Sequence, residues 1–427
     1  MSSGLKVLWF TNTPASGLEH LQSASTIGGG WLSSLDKALS NEVDLHVVFY
    51  YPKFAKNFIH QNVNYYPICK KNWRLEMLKN ILYTSEIDEQ HLNIYLDIIR
   101  RIKPDIIHIH GTENSFGCII DKIPIPVIVS IQGNISVIHH KFFCGIEEKY
   151  ADAKQYNTLR NAVISTSFKK LYNKFYKLKT IEQKNLNYAK YIIGRTAWDY
   201  RISRILASNS QYFHNDEILR TVFYENQWNP NFYSSKIILH TTNSNSIIKG
   251  FETLSYSLYL LQKKGLNIEW RVAGISESDT IVKIVKRKLK DKYPKSGIVL
   301  LGPLNETSLC NKLLEANAYV MPSHIENSPN NLCEAMILGM PCIATFAGGT
   351  GSMLKDGEEG ILIQDGDPWA MAGAIIELSE NHDKAIEYGK NARIISLKRH
   401  DKNRIVDGLI KIYAEVIKST NENLHNS

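Results

Sequence analysis

The order of apolar segments predicts an α/β chain built as two doubly wound halves. Short β-branched runs alternate with stretches of helical periodicity, the pattern of a parallel sheet covered on both faces. The alternation stops in a polar, aperiodic stretch at residues 226–235, which reads as a linker, and restarts at Lys236. A chain of 427 residues has room for two or three cores at ~150 residues each.

In the first half the expected strands are residues 6–10, 43–50, 105–110, 127–131 and 191–194. Pro104 and Pro126 stand just before two of them, where a missing N–H does least harm. The second half has strands at 237–241, 269–273, 298–301, 318–321, 342–345 and 361–363, with helices at 251–264 and 279–292 between them. Ile405, Leu409, Ile412 and Val416 recur at helical spacing, so residues 404–417 form a last helix, followed by a polar tail at 419–427 that is expected to fray. The domains are then 1–230, 236–400, and a C-terminal helix at 401–418.

Composition excludes several classes. A hydrophobic content of 44% and a charged content of 22% are ordinary for a globular enzyme. Six cysteines with no Cys-x-x-Cys spacing argue against a disulfide framework or a zinc motif and fit a reducing cytoplasm. The apolar run at residues 7–10 is too short for a signal segment, and no run approaches the ~20 residues of a membrane span. A cytoplasmic or membrane-peripheral protein is expected.

The net charge of +8 is concentrated. Residues 168–190 hold Lys169, Lys170, Lys174, Lys177, Lys179, Lys184 and Lys190 against Glu182, with Phe168, Tyr172, Phe175 and Tyr176 interleaved. Two readings stand: a helix lying on an anionic membrane or lipid-linked acceptor, or a solvated helix whose aromatics face the core. No nucleic-acid motif accompanies the patch, so nucleic acid is not an expected partner.

In doubly wound sheets, ligands bind beyond the carboxyl ends of the strands. In the first half Gly28, Gly29 and Gly30 precede an amphipathic helix, an arrangement that lets backbone approach an anion, although glycine clusters also make plain turns. Asp105-Ile-Ile-His-Ile-His110-Gly111 puts His108 and His110 on one strand face. With no third ligand evident, a buried pair is expected rather than a metal site. The neighbouring strand ends in the polar Gln132-Gly133-Asn134.

The strongest constellation spans Met321 to Gly351. A buried strand runs into the loop Pro322-Ser-His-Ile-Glu326-Asn-Ser328-Pro329, and a helix follows until Gly339 and Pro341 stop it. Ser328 is the expected N-cap and Pro329 the first helical residue. The amides of Asn330, Asn331 and Leu332 then form an anion site. Glu326 lies before them and Glu334 one turn inside, and acceptor-only carboxylates suit vicinal hydroxyls.

At these residues the chain resembles the retaining glycosyltransferases of family 4 (group 1), which have the GT-B fold of two Rossmann-like domains facing across a cleft. Glu326 and Glu334 match their Glu-x7-Glu signature, followed by Ala-Met-x-x-Gly-x-Pro, an apolar strand and Gly348-Gly349. Ile193-Gly194-Arg195-Thr196, Lys249-Gly250, Gly302-Pro303-Leu304 and Gly357-x-x-Gly360-x-Leu362 extend the resemblance over most of the chain. Asn327-Ser-Pro-Asn330 is similar to bacterial surface-polysaccharide enzymes of the group.

The resemblance implies transfer of a hexosyl-type sugar from a nucleotide-diphosphate-sugar to a glycan or lipid-linked acceptor, without metal or other cofactor. It implies catalytic roles for Glu326 (on the donor hexose) and Lys249 (on the leaving diphosphate). Donor contacts would come from Gly28, Gly29, Gly30, Gln132, Arg195, Gly302, Leu304, Asn330, Asn331, Leu332 and, at the ribose, Glu334. It also implies that the last helix crosses back to the first domain. Two positions depart from the pattern: Ser244 stands where many relatives have Arg, so that either Lys249 acts with less help or a cation such as Arg195 reaches in from the first domain, and Gln132 stands where relatives often have His. Alternative functions are a sugar-nucleotide epimerase of the same fold or a non-catalytic nucleotide-sugar-binding subunit.

Overall fold

A computed structural model describes residues 4–21, 30–69, 89–151, 168–230 and 236–425. Its strands are β1 Lys6–Thr11, β2 Asp44–Tyr51, β3 Phe58–His60, β4 Val63–Cys69, β5 Ile106–His110, β6 Val127–Ser130, β7 Tyr191–Gly194 and β8 Gln211–His214 in the first sheet. The second holds β9 Ile237–Thr242, β10 Ile268–Ala273, β11 Ile298–Gly302, β12 Ala318–Met321, β13 Cys342–Thr345 and β14 Gly360–Ile363. The expected α/β, doubly wound class is what the chain adopts.

The chain divides into two compact units, Met1–Ser136 with Lys177–Ile218 and His400–Ser427, and Val137–Tyr176 with Leu219–Arg399. The first unit carries the order β3-β4-β2-β1-β5-β6-β7-β8, parallel except for the antiparallel β3–β4 pair. The second carries β11-β10-β9-β12-β13-β14, all parallel. Strand order reverses between β1 and β5 in one and between β9 and β12 in the other, and these switch points open crevices at the strands' carboxyl ends.

Three strands escape the sequence pattern. β3 is a three-residue edge, β4 carries Pro67, and β8 is an edge strand without a fully buried residue, so none presents an apolar run. The helix expected at 279–292 is α-helical over Thr280–Leu289 and finishes as a 3₁₀ turn, Lys290–Lys292, where Lys290 takes φ +51°.

The contiguous first domain of 1–230 needs correction. Residues Val137–Tyr176 group with the second unit, because Phe142, Ile146 and Phe168 lie in its core beside Phe251, Leu254 and Val285. The expected linker is not loose at its start. Trp228 is buried against the second unit's core, its Nε1 donating to the Ala316 carbonyl at 2.8 Å and its backbone N–H to that of Leu338 at 2.8 Å. Residues 231–235 lie outside the described residues.

The last helix, Lys402–His425, belongs to the first unit, and Ile405, Leu409, Ile412 and Val416 are all buried there. Described residues of the tail expected to fray continue this helix to His425. No helix among the described residues is long and apolar enough to cross a membrane.

Candidate functional site

At the second unit's switch point, β9 and β12 are locked together before their loops diverge. Thr241 Oγ1 donates to the Val320 carbonyl at 2.6 Å and accepts from Trp270 Nε1 at 2.9 Å. Beyond β9 the chain turns at Asn243, whose Nδ2 donates to the Lys249 carbonyl at 3.1 Å and whose Oδ1 accepts from the Ser244 N–H at 2.8 Å. Lys249 ends the 3₁₀ turn Ile247–Lys249, and Gly250 follows at φ +67°. A Cβ at Gly250 would lie 1.9 Å from the Pro322 carbonyl oxygen, so only glycine lets the lysine turn press onto the loop after β12.

That loop delivers Glu326 to Lys249. Their Oε1 and Nζ are 2.5 Å apart, with the carboxylate side chain 10% and the lysine 26% exposed. Gly349 N–H donates to the Glu326 carbonyl at 2.8 Å, and a Cβ on Gly348 (φ +59°) would sit 2.0 Å from the same oxygen. The Gly348-Gly349 pair therefore holds the glutamate's backbone while Lys249 holds its side chain.

The helix Asn330–Leu338 begins at about the expected residue, but its cap stands one residue later than expected. Pro329 is its N-cap without a side-chain cap bond, and Ser328 Oγ instead donates to Met353 Sδ at 3.6 Å. Pro329 cannot start the helix because its ψ of 106° is extended. Leu332 N–H is already taken by the Pro329 carbonyl at 3.0 Å and by Asn331 Oδ1 at 3.0 Å. The amides of Asn330 and Asn331 have no acceptor among the described residues, which narrows the open donors at this helix start. Asn331 Nδ2 ties the terminus to the end of β9 through the Thr242 carbonyl at 3.2 Å.

Glu334 is 3% exposed and gripped by a residue with no signal in the sequence. Arg220 Nε and Nη2 donate to its two oxygens at 2.7 Å each, a bidentate pair. Burial pushes the Glu334 carboxyl up, and the guanidinium pulls back against it. Each signature carboxylate thus has its own cation. Gly302 and Leu304 follow β11 at the same end of the sheet, Gly302 at φ +65° and Leu304 half-buried against the core. Ser244 is exposed and offers no cation.

The first unit's candidates stand as follows. Gly28 and Gly29 lie outside the described residues, and Gly30 begins the helix Gly30–Leu39. Gln132 follows β6 and is half-buried. Arg195, at the end of β7, is buried, ion-paired with Glu217, and donates to the Ile131 carbonyl at 2.6 Å. Its charge is therefore engaged inside the first unit.

His108 and His110 are both 1% exposed, with ring centroids 3.9 Å apart. His108 bonds Tyr413 Oη through Nδ1 at 2.7 Å and Ser130 Oγ through Nε2 at 2.6 Å, and burial lowers its pKa to about 3. Trp9 Nε1 also donates to Tyr413 Oη at 3.0 Å, leaving the hydroxyl proton for His108 and so fixing a neutral, Nε2-protonated ring. The pair is satisfied core at His108 and ring-packed against Trp9 at His110.

The basic helix Phe168–Tyr188 divides its faces. Phe168, Leu171, Tyr172 and Phe175 pack against the second unit's core, whereas Lys170, Lys174, Tyr176, Lys184 and Tyr188 are exposed. Glu182 is buried and caps the helix Ile135–His140, accepting from the N–H groups of Ile135 at 2.9 Å and Ser136 at 2.7 Å.

Comparison with known proteins bears on this geometry. Residues 235–381 match the family described as glycosyl transferases group 1, the resemblance the signature implied. Among curated relatives, an uncharacterized glycosyltransferase of Methanocaldococcus jannaschii is 25% identical over 48% of this chain and 60% of its own. N-acetyl-alpha-D-glucosaminyl L-malate synthase of Bacillus anthracis is 24% identical over 43% and 47%, and the capsular polysaccharide biosynthesis glycosyltransferase CapM of Staphylococcus aureus 27% over 34% and 37%. The chain spans about half the length of the curated relatives it matches. Solved structures share the fold across its length. Sucrose-phosphate synthase of Thermosynechococcus elongatus has a TM-score of 0.69 at 14% identity, covering 97% of this chain and 100% of that one. Anabaena HepE, solved with UDP and glucose, has a TM-score of 0.65 at 12% identity, covering 96% and 99%. The fold is that of the GT-B glycosyltransferases.

Proposed function

We propose that the chain transfers a hexosyl-type sugar from a nucleotide-diphosphate-sugar to a glycan or lipid-linked acceptor, with retention of anomeric configuration. The observation that carries this reading is the Lys249–Glu326 pair beside an open helix N-terminus and the buried Glu334, all at one switch point. Glu334 takes the ribose hydroxyls, the Asn330 and Asn331 amides take the diphosphate, and Glu326 contacts the hexose. HepE, bound to UDP and glucose in its structure, supports a donor of this class.

The chemistry asks for positive potential where charge develops. As the bond between the anomeric carbon and the diphosphate oxygen breaks, its electron pair passes to that oxygen, within reach of Lys249 and the helix dipole. The acceptor hydroxyl attacks from the same face and gives its proton to the departing phosphate. No metal is needed in this scheme, because lysine and backbone amides supply the charge. CapM's role in capsular polysaccharide supports placing the acceptor among surface glycans. The exposed lysines and tyrosines of the helix Phe168–Tyr188 suit an anionic, lipid-linked acceptor at the cytoplasmic face of a membrane.

The test is a donor panel with glycan and lipid-linked acceptors, reading nucleotide diphosphate release and the anomeric configuration of the product by NMR. Release that depends on acceptor, with retention and no effect of added magnesium or manganese, is expected. Turnover of donor alone would point to an epimerase, and an inverted product would overturn the mechanism. Full transfer by Glu326→Ala and Lys249→Ala would overturn the site.

A further inference from the structure

Two residues before Glu326 the same loop carries His324, whose side chain is 2% exposed and whose surroundings the reaction above does not use. Its Nε2 lies 2.5 Å from Glu252 Oε1, and its Nδ1 faces Asp365 Oδ2 at 3.6 Å. Over it passes the loop after the helix Ile135–His140. Gly145 of that loop fits only because it lacks a side chain, since a Cβ would stand 2.0 Å from His324 Nε2 and 2.4 Å from Glu252 Oε1. This close approach brings the exposed Cys144 to the ring, and ligand atoms of Cys144, His324 and Asp365 all lie within 4.8 Å of one another.

We propose that Cys144, His324 and Asp365 form a structural site for a divalent transition metal, zinc by donor type. A thiolate, an imidazole and a carboxylate are the ligand set zinc favours, and three protein ligands leave a fourth position for water. Around tetrahedral zinc such atoms stand about 3.3–3.6 Å apart, so His324 and Asp365 are already spaced for it and the widest gap closes by about 1 Å. Glu252 supplies the second requirement. By accepting the Nε2 proton it leaves Nδ1, which faces Asp365, for the metal once the Nδ1 proton is released.

The neighbouring cation is Lys141, whose Nζ is 3.3 Å from Asp365 Oδ2 and donates to the His324 carbonyl at 3.1 Å. With metal bound, Lys141 keeps the carbonyl and yields the carboxylate. Ligation needs the Cys144 thiolate and a neutral imidazole, so binding releases protons and the dication takes over their charge. The metal would clasp residues 141–145 onto the second unit's sheet, a role separate from sugar transfer and independent of whether that reading holds.

Cobalt(II) is the probe, added to the chelator-treated full chain and competed with zinc. The expected result is an equimolar site with a thiolate-to-cobalt charge-transfer band that zinc abolishes. The band is lost in Cys144→Ser, kept in Cys69→Ser, and requires ~10–100-fold more cobalt in Glu252→Gln. Circular dichroism checks that each variant is folded, and should Cys144→Ser not fold, alkylation of Cys144 in the native protein replaces it. Absence of the band in the wild type, or its survival after Cys144 is removed or blocked, overturns the site.

Discussion

Lys249 and Glu326 hold each other at 2.5 Å, and in the proposed mechanism an arriving diphosphate shares the lysine with the carboxylate. Removing Lys249 then removes both the counter-charge of Glu326 and the stabilisation of the leaving group. Lys249→Ala is expected to slow transfer by ~10²–10³-fold, as loss of one preorganised donor does, measured as turnover at saturating donor. Arg220 acts differently. Its bidentate grip fixes the plane of Glu334 and opposes the upward push of burial on its carboxyl, so Arg220→Gln leaves a buried carboxyl unpaired, a change on the order of 3–5 kcal/mol. A rise in donor KM larger than the fall in kcat, with reduced thermal stability, is the expected signature. Legibility at this scale was uneven. The family resemblance names Glu326, Lys249 and the Gly-Gly pair. Arg220 could not be named, because it lies 114 positions from Glu334 and only the packing of the helix it caps, Thr221–Glu225, against Asn330–Leu338 joins them.

Among the elements, the C-terminal helix Lys402–His425 shows how about three turns of apolar periodicity become a structural device. Its apolar stripe was readable in advance, but Tyr413 was not singled out, since a tyrosine on an apolar face gives no sign of which polar groups it meets. In the fold it is fully buried and its hydroxyl serves both Trp9 and His108. Tyr413→Phe strands those two buried groups and should cost about 1–3 kcal/mol in chemical denaturation, with no change in donor binding by the second unit. Strands with continuous apolar runs were placed to within a residue or two. β3 and β8 were missed because edge strands bury too little to leave a pattern, β4 because Asn64 and Pro67 interrupt its apolar run, and residues 137–176 were placed in the other unit because chain order hides which core Phe142 and Phe168 enter.

For the molecule as a whole, each unit carries a buried histidine kept neutral by its surroundings. Burial lowers both His108 in the first unit and His240 in the second to about 3. The unfolded chain binds a proton at each below the ordinary value near 6.5 and the folded chain does not. Their contribution is therefore intact above pH 6.5 and is lost as pH falls from there toward 3, at up to about 1.4 kcal/mol per pH unit for each histidine. His240→Leu should flatten the slope of stability between pH 6.5 and 4, read from denaturation midpoints. The two-unit architecture itself was plain in the sequence because each half repeats the strand–helix alternation. The proposed site lies where such sheets gather ligands, at the reversal of strand order.

In the proposed function this reversal, between β9 and β12, holds a nucleotide-diphosphate-sugar through Glu334, Lys249 and the start of the helix Asn330–Leu338. Isothermal titration of the wild type and of Glu334→Ala and Lys249→Ala with a panel of nucleoside diphosphates and their sugar conjugates tests it directly. The account predicts saturable, equimolar binding of one nucleotide class, weakened at least tenfold in each variant. Binding that neither substitution weakens, or no binding by the folded wild type across the panel, would contradict it.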